Sequence, residues 1–268
     1  MTTREQFLDN VTAFLEYKRE EGFQTLEISP ETRALLKPAK PKQKPVAVKP
    51  KPAAPTYRPA PPAYDPEPAH APGDDIQVTG KTLEEIAKQI STCSGCGLHA
   101  SRNKTVPGEG NGNEPDIMFI GEGPGADEDT QGRPFVGKAG QLLTKMIGAM
   151  GYSRDQVFIA NIVKCRPPGN RVPMPDEMNA CTPYLRKQIE LIKPKIIIAL
   201  GKTAVEGLLH KPVAITRFRG TWCKYEGIDL MPTFHPAYLL RSPNKKREAW
   251  EDLQAVMAKL GKTPSGRN

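Results

Sequence analysis

The sequence lacks any apolar run long enough to cross a lipid bilayer. Its first ten residues, MTTREQFLDN, also lack the apolar core of a secretory signal. These absences argue against a membrane or secreted protein, and we expect a cytoplasmic one. Cysteine is scarce as well, with five residues in 268. In a reducing compartment so few cysteines indicate metal ligands or buried thiols and argue against a disulfide framework.

Apolar residues make up only 38% of the chain, and prolines number 28. Such a composition is unusual for one compact core, and it predicts that part of the chain lies outside the folded domain. We expect a helical N-terminal extension over residues 1–36, a disordered Lys/Pro/Ala-rich linker over 37–75, a folded domain over 76–262 and a short tail over 263–268. The amphipathic helix of the extension fits docking either on the folded domain or on a partner protein, and we expect a monomer.

The chain carries a formal net charge of +8. An excess of positive charge favours a polyanionic partner such as a nucleic acid. Part of this excess belongs to the linker, whose basic residues are Lys37, Lys40, Lys42, Lys44, Lys49, Lys51 and Arg58. The charge therefore supports nucleic-acid binding only weakly until it is localised on the folded domain.

Short apolar segments alternate with helical patterns along the folded domain. Strands are predicted over residues 117–120, 156–163, 195–200 and 228–233, with helices over 137–150, 176–192, 203–209 and from Ser242 to Gly261. The first three strands are apolar on both faces, which is typical of a parallel sheet covered by helices on each side. The pattern predicts a three-layer α/β/α sandwich with a central, mostly parallel four-stranded sheet.

Four cysteines are spaced as possible metal ligands. Cys93 and Cys96 form a Cys-x2-Cys pair, Cys165 follows the second strand, and Cys181 lies on the next helix. Four thiolates suit either a structural zinc ion or an iron–sulfur cluster. Because only one pair is close in sequence, the spacing leans toward a [4Fe–4S] cluster, but zinc stays open. Cys223 has no partner by position and is predicted to be a strand or core thiol.

Functional side chains follow the predicted strands where each strand ends. The first strand leads into Gly-Glu-Gly-Pro-Gly and then Glu128, the second contains Asn161, and the fourth leads to His235. The carboxyl ends of parallel strands meet at one edge of a sheet, so we expect these groups to share one pocket. Beyond it, Leu240 beside Arg241 could wedge between bases and hold a phosphate, or could be ordinary packing.

Together these segments resemble a known family. GEGPGADED, GRPFVGKAGQLL, NIVKCRPPGNR and HPAYLLR, with the four cysteines in order, are similar to the type 4, iron–sulfur branch of the uracil-DNA glycosylase superfamily over residues 80–262. The resemblance implies an α/β/α sandwich and a hydrolase that cleaves the N-glycosidic bond of uracil in single- or double-stranded DNA, starting base excision repair. It also implies a [4Fe–4S] cluster on Cys93, Cys96, Cys165 and Cys181.

The resemblance further implies roles for individual residues around a base flipped out of the helix. Phe135 would stack on uracil, Asn161 would read its Watson–Crick edge, and His235 would donate a hydrogen bond toward O2. The backbone of Gly121, Glu122 and Gly123 would close on the base. Leu240 would fill the gap in the duplex, and Arg241 would hold a phosphate.

This sequence departs from the best-known branch of the superfamily at one position. That branch carries an Asp in the turn after the first strand to position the attacking water, and Gly123 stands at the corresponding place here. Glu128 and Glu122 are the nearest carboxylates, and we prefer Glu128 for this role. The alternative is a non-catalytic iron–sulfur nucleic-acid-binding protein on the same fold. The presence of both Asn161 and His235 favours the enzyme.

Overall fold

The computed structural model describes residues 76–262. The predicted N-terminal extension (1–36), linker (37–75) and tail (263–268) lie outside the described residues. Between residues 76 and 262, no helix combines the length and apolar character that crossing a membrane requires.

A six-stranded mixed sheet forms the centre of the domain. Its strands are β1 (Glu109–Gly110), β2 (Ile117–Gly121), β3 (Phe158–Asn161), β4 (Ile196–Leu200), β5 (Cys223–Tyr225) and β6 (Ile228–Thr233). Their order across the sheet is β1-β3-β2-β4-β6-β5. The four inner strands run parallel, while β1 and β5 pair antiparallel at the two edges.

The prediction of four strands is therefore wrong, although the α/β class with a largely parallel centre is confirmed. The predicted strands are the four inner ones. Both edge strands were missed because they are only two and three residues long, too short to show an alternating pattern. β5 joins β6 through a tight turn at Glu226 and Gly227, both of positive φ, as in a type I′ hairpin. Cys223 lies buried in β5, as predicted.

Helices flank the sheet at nearly the predicted positions. They are α1 (Leu83–Thr92), α2 (Ala126–Gln131), α3 (Lys138–Ala149), α4 (Pro175–Ile192), α5 (Lys202–Leu209), α6 (Ile215–Phe218), α7 (Pro236–Arg241) and α8 (Lys246–Lys259). Two differences stand out. The segment after His235 forms the short helix α7, and the last helix begins at Lys246, after a 3-10 turn, and not at Pro243.

Two hydrophobic clusters cover the two faces of the sheet. Along β2, Ile117 and Phe119 belong to one cluster, whereas Met118 and Ile120 belong to the other. Side chains of α1, α4 and α5 pack on the face of Met118, and those of α3 and α8 pack on the face of Ile117. Burying one such side chain completely contributes about 1.5–3 kcal/mol to the free energy of folding. The domain therefore has three layers, as predicted.

The register of the parallel strands places their carboxyl ends at one edge. Gly121, the last residue of β2, pairs with Asn161, the last residue of β3. On the other side, Leu200 of β4 pairs with Thr233 of β6. The chain segments that follow these strands consequently leave the sheet along one rim.

Candidate active site

A cavity opens at this rim. It is lined by the turn after β2, by the start of α3, by Asn161 and the loop after β3, and by α7 with the residue that precedes it. The residues predicted to surround a base and lining this cavity are Glu122, Gly123, Glu128, Phe135, Asn161 and His235. The structure thus brings together side chains from three strand ends, as the parallel topology predicted.

Gly121 lets the amide of Asn161 and the ring of Phe135 meet. A Cβ atom built on Gly121 would lie 2.4 Å from Asn161 Oδ1 and 2.5 Å from Phe135 Cζ. Both separations are far below van der Waals contact. Any other residue here would push the amide or the ring out of place, so the close approach requires glycine.

The amide of Asn161 has an unused acceptor. Asn161 is 1% exposed, and its Oδ1 atom is buried without a hydrogen-bond partner among residues 76–262. An unsatisfied buried acceptor costs about 1–3 kcal/mol. This cost marks the atom as one whose partner comes from outside the protein.

Phe135 is held in a strained backbone conformation, with φ of +52°. Its carbonyl oxygen accepts a hydrogen bond from Arg154 Nη1 at 3.1 Å, and Arg154 Nη2 forms an ion pair with Glu109 at 2.5 Å. Left-handed φ in a bulky residue is rare and persists where the surroundings enforce it. Arg154 is a supporting residue that sequence reasoning missed, because nothing local links it to a residue 19 positions away.

The imidazole of His235 lies close to Phe135, with 5.7 Å between the ring centroids. Its Nδ1 atom accepts a hydrogen bond from the backbone N–H of Ala237 at 3.1 Å, which puts the ring proton on Nε2. Burial, together with the smaller effect of the Arg241 charge, lowers the pKa of His235 to about 4. At neutral pH the ring is therefore an uncharged donor through Nε2.

The two candidate carboxylates are anchored differently. Glu128 Oε1 accepts hydrogen bonds from the backbone N–H groups of Val136 and Gly137, and its Oε2 accepts one from Gly125. Glu122 Oε2 accepts a bond from Thr203 Oγ1 at 2.5 Å. Three backbone donors fix Glu128 in place, so it is a rigid charge that also holds the turn together.

Position 123 has no room for a side chain. A Cβ atom on Gly123 would lie 2.7 Å from Val163 Cγ2. An aspartate there, as in the best-known branch, would require the segment after β3 to move. The absence of that aspartate is thus matched by the packing around it.

The predicted DNA-contacting residues lie on α7. Leu240 is 43% exposed, and the exposed Arg241 lines the mouth of the cavity. Lys138, Arg171 and Val172 also line the cavity and were not predicted. Arg171 and Val172 lie in the proline-rich loop after Cys165, and Lys138 is the first residue of α3. Both segments contributed to the family resemblance, but neither local pattern marks these side chains as cavity-lining.

A second cavity, away from this rim, is lined by Cys93, Cys96, Cys165 and Cys181. Burial raises the pKa of Cys181 to about 12, and it also raises those of Cys96 and Cys165. Cys165 Sγ accepts a hydrogen bond from Arg102 Nη1 at 3.2 Å, and Cys181 Sγ accepts one from the backbone N–H of Lys164 at 3.3 Å. In the part of the chain described here, no three His, Cys, Asp or Glu side chains are grouped as ligands of a single metal ion.

The protonation state of His235 gives a direct prediction. Nitrogen NMR of histidine-labelled protein should show the His235 ring neutral, with its proton on Nε2, from pH 8 down to 5, because its pKa is about 4. The unfolded chain takes up this proton near pH 6.5. His235 therefore contributes stability that is present above pH 6.5 and is lost as the pH falls toward 4. Titration of this ring near pH 6.5 would contradict the assignment.

Comparison with known proteins identifies the family of this chain. Residues 107–254 match the model of the Uracil DNA glycosylase superfamily. A type-4 uracil-DNA glycosylase of Thermotoga maritima is 44% identical over 184 residues, which cover 67% of this chain and 95% of that relative. A type-4 uracil-DNA glycosylase of Sulfurisphaera tokodaii is 46% identical, over 65% of this chain and 83% of that relative. One of Saccharolobus solfataricus is also 46% identical, over 68% of this chain and 88% of that relative. The chain belongs to the uracil-DNA glycosylase superfamily, in its type-4 branch.

Proposed function

We propose that this protein excises uracil from DNA by hydrolysing the bond between N1 of the base and C1′ of deoxyribose, and so initiates base excision repair. Its membership of the type-4 branch supports this function. The observation that carries it in the structure is the buried, unpartnered Oδ1 of Asn161 beside the ring of Phe135.

Uracil fits the hydrogen-bonding pattern of this amide. Its N3–H can donate to Asn161 Oδ1, and its O4 can accept from the amide N–H, whereas cytosine presents the reverse pattern. The base reaches the cavity only after it leaves the helical stack. There Phe135 supplies a stacking face, and the backbone of Gly121, Glu122 and Gly123 borders the base.

His235 supports departure of the base. When the glycosidic bond breaks, its electron pair leaves with uracil, and negative charge accumulates on O2. The neutral imidazole directs its Nε2–H donor at this charge without a proton having to move first. A preorganised donor of this kind lowers the barrier by about 3–4 kcal/mol, as in oxyanion holes.

A carboxylate stabilises the sugar. Positive charge develops at C1′ as the base departs, and the oxygen of a water molecule then bonds to C1′. The proton that this water loses balances the proton that the uracil anion takes up to leave as neutral uracil. Glu128 supplies a fixed negative charge on the lining of the cavity, since three backbone N–H groups hold its carboxylate. Glu122 is the second candidate, because it also lines the cavity and has one oxygen bonded to Thr203.

The thiol cavity suits a [4Fe–4S] cluster. Cys93, Cys96, Cys165 and Cys181 line one space, and their spacing, with a single Cys-x2-Cys pair, leans toward a multi-atom cluster over zinc. The N–H···S bonds from Arg102 and Lys164 are typical of cluster surroundings. When bound, the cluster would cross-link α1, the loop after β3 and α4.

Release of uracil tests the function. The full chain should liberate free uracil from a uracil-containing oligonucleotide. Asn161→Asp removes the donor to O4 and should lower the preference for uracil over cytosine by about 10- to 100-fold, since leaving a buried polar group without its partner costs about 1–3 kcal/mol. The same change at the exposed Asn113 should have no effect. Binding without release would favour the non-catalytic alternative, and an unchanged preference would remove Asn161 from base reading.

The two carboxylates can be separated by amide substitution. Glu128→Gln should lower kcat by roughly 100-fold, because it removes the negative charge near the sugar. It should also lower the free energy of unfolding by about 1–3 kcal/mol, because an amide N–H₂ would face backbone donors. In Glu122→Gln the amide oxygen can still accept a hydrogen bond from Thr203, so kcat should stay within about tenfold of the wild-type value. The opposite ranking of kcat would transfer the role to Glu122.

The cofactor has a spectroscopic test with an internal control. Protein purified without oxygen should be brown, absorb at about 400 nm and contain about four iron atoms per chain. Cys165→Ser should lose the iron, whereas Cys223→Ser, which replaces the buried thiol of β5, should retain it. A colourless wild-type protein with one zinc ion would refute the cluster.

A further inference from the structure

Large exposed apolar side chains are concentrated around the base cavity. Across residues 76–262 they are Val172, 60% exposed, Met174, 51% exposed, and Leu240, 43% exposed. Val172 lines the cavity, Met174 follows two residues later, and Leu240 precedes the cavity-lining Arg241. Single exposed apolar residues are common, but each of these three lines the cavity or lies within two residues of a lining residue in sequence, which indicates an interaction surface.

The loop that carries Val172 and Met174 is anchored by buried prolines. Pro167 and Pro173 are buried, while Val172 and Met174 on either side of Pro173 point outward. A Cβ atom on Gly123 would lie 3.7 Å from Pro167 and 3.9 Å from Pro173, so both rings pack against the turn that forms the cavity floor. The exposed pair is therefore fixed relative to the cavity.

Arg171 and Glu177 brace the same loop. The guanidinium of Arg171 donates to both carboxylate oxygens of Glu177, at 2.8 and 2.6 Å, and to the carbonyl of Val172 at 3.1 Å. Glu177 also accepts a hydrogen bond from the backbone N–H of Met174 at 2.7 Å. A surface held in this way binds without a large loss of conformational entropy.

The charges of the rim indicate what occupies this surface. Lys138 and Arg241 are exposed, line the cavity and form no ion pair within the described domain. The charge of Arg171, in contrast, is matched by Glu177. The carboxylates of Glu122, Asp127 and Glu128 also line this cavity. Exposed apolar side chains next to exposed cations still suit a nucleic-acid strand, which presents sugars and bases beside phosphates.

We propose that Val172 and Met174 form an apolar grip on the uracil-carrying strand, contacting the sugar and base of a nucleotide next to the extruded one. This inference rests on the proposed function. Val172 lies on the cavity that takes the base, so the nearest nucleotides are those covalently joined to that base. The grip therefore acts on single- and double-stranded DNA alike. Leu240, if it fills the gap left by the base, acts only where a duplex surrounds that gap.

The test compares a polar with an apolar double variant. Val172→Thr/Met174→Gln keeps the shape of both side chains but makes them polar, and Val172→Ile/Met174→Leu keeps them apolar. The polar variant should raise KM, and the Kd for an uncleavable 2′-fluoro-deoxyuridine oligonucleotide, by about 5- to 30-fold on both single and double strands, with kcat nearly unchanged. In the apolar variant, KM and Kd should stay within about twofold of the wild-type values.

Leu240→Gln provides the contrasting variant, because its effect should be confined to double-stranded DNA. An unchanged Kd in the polar variant, or equal losses in both double variants, would overturn the grip. A loss restricted to double strands would assign Val172 and Met174 to the duplex and not to the strand itself. Because Kd is measured without bond cleavage, the result stays separate from failure of the proposed function, which would appear as wild-type protein that releases no uracil.

Discussion

The close approach of both Asn161 and Phe135 to the bare Cα of Gly121 is the constraint on which the site depends. It exists because β2 and β3 run parallel in a register that pairs Gly121 with Asn161. The amide oxygen of Asn161 is buried there without a partner, and the ring of Phe135 approaches the same glycine. A buried acceptor without a partner is costly, and the domain stabilises it through packing elsewhere. The pairing of these two strands therefore fixes the position of the amide proposed to read the base edge.

The same short segment joins the base cavity to the thiol cavity. Asn161 ends β3, and Cys165 follows four residues later. Between them, the fully buried Lys164 donates from Nζ to the carbonyl of Asn161 at 2.9 Å and to Gln188 Oε1 at 2.7 Å. Its backbone N–H donates to the sulfur of Cys181. A group bound by the four thiols would therefore also hold the end of β3, where Asn161 lies. This arrangement suits a structural cofactor.

The charges of the base cavity follow the demands of a dissociating glycosidic bond. In the proposed reaction, the uncharged imidazole of His235 would face the base as it becomes negative, and the anchored carboxylate of Glu128 would face the sugar as it becomes positive. Both groups are set by backbone hydrogen bonds, from Ala237 to His235 and from three N–H groups to Glu128. Neither group has to reorganise during the reaction, which is the condition for strong electrostatic stabilisation.

The sequence alone determined the class of fold, the four inner strands and the strand ends that carry Glu128, Asn161 and His235, because apolar runs and glycine-rich turns are local signals. It also indicated the four cysteines, since their order and spacing are features of the chain itself. Only the tertiary structure decided the edge strands β1 and β5, the support of Phe135 by Arg154, and the placement of Val172 and Met174 on the cavity rim. These depend on contacts between residues far apart in sequence, and no local pattern encodes such contacts. For the same reason the neutral state of His235 became clear only when its burial and its bond to Ala237 were known.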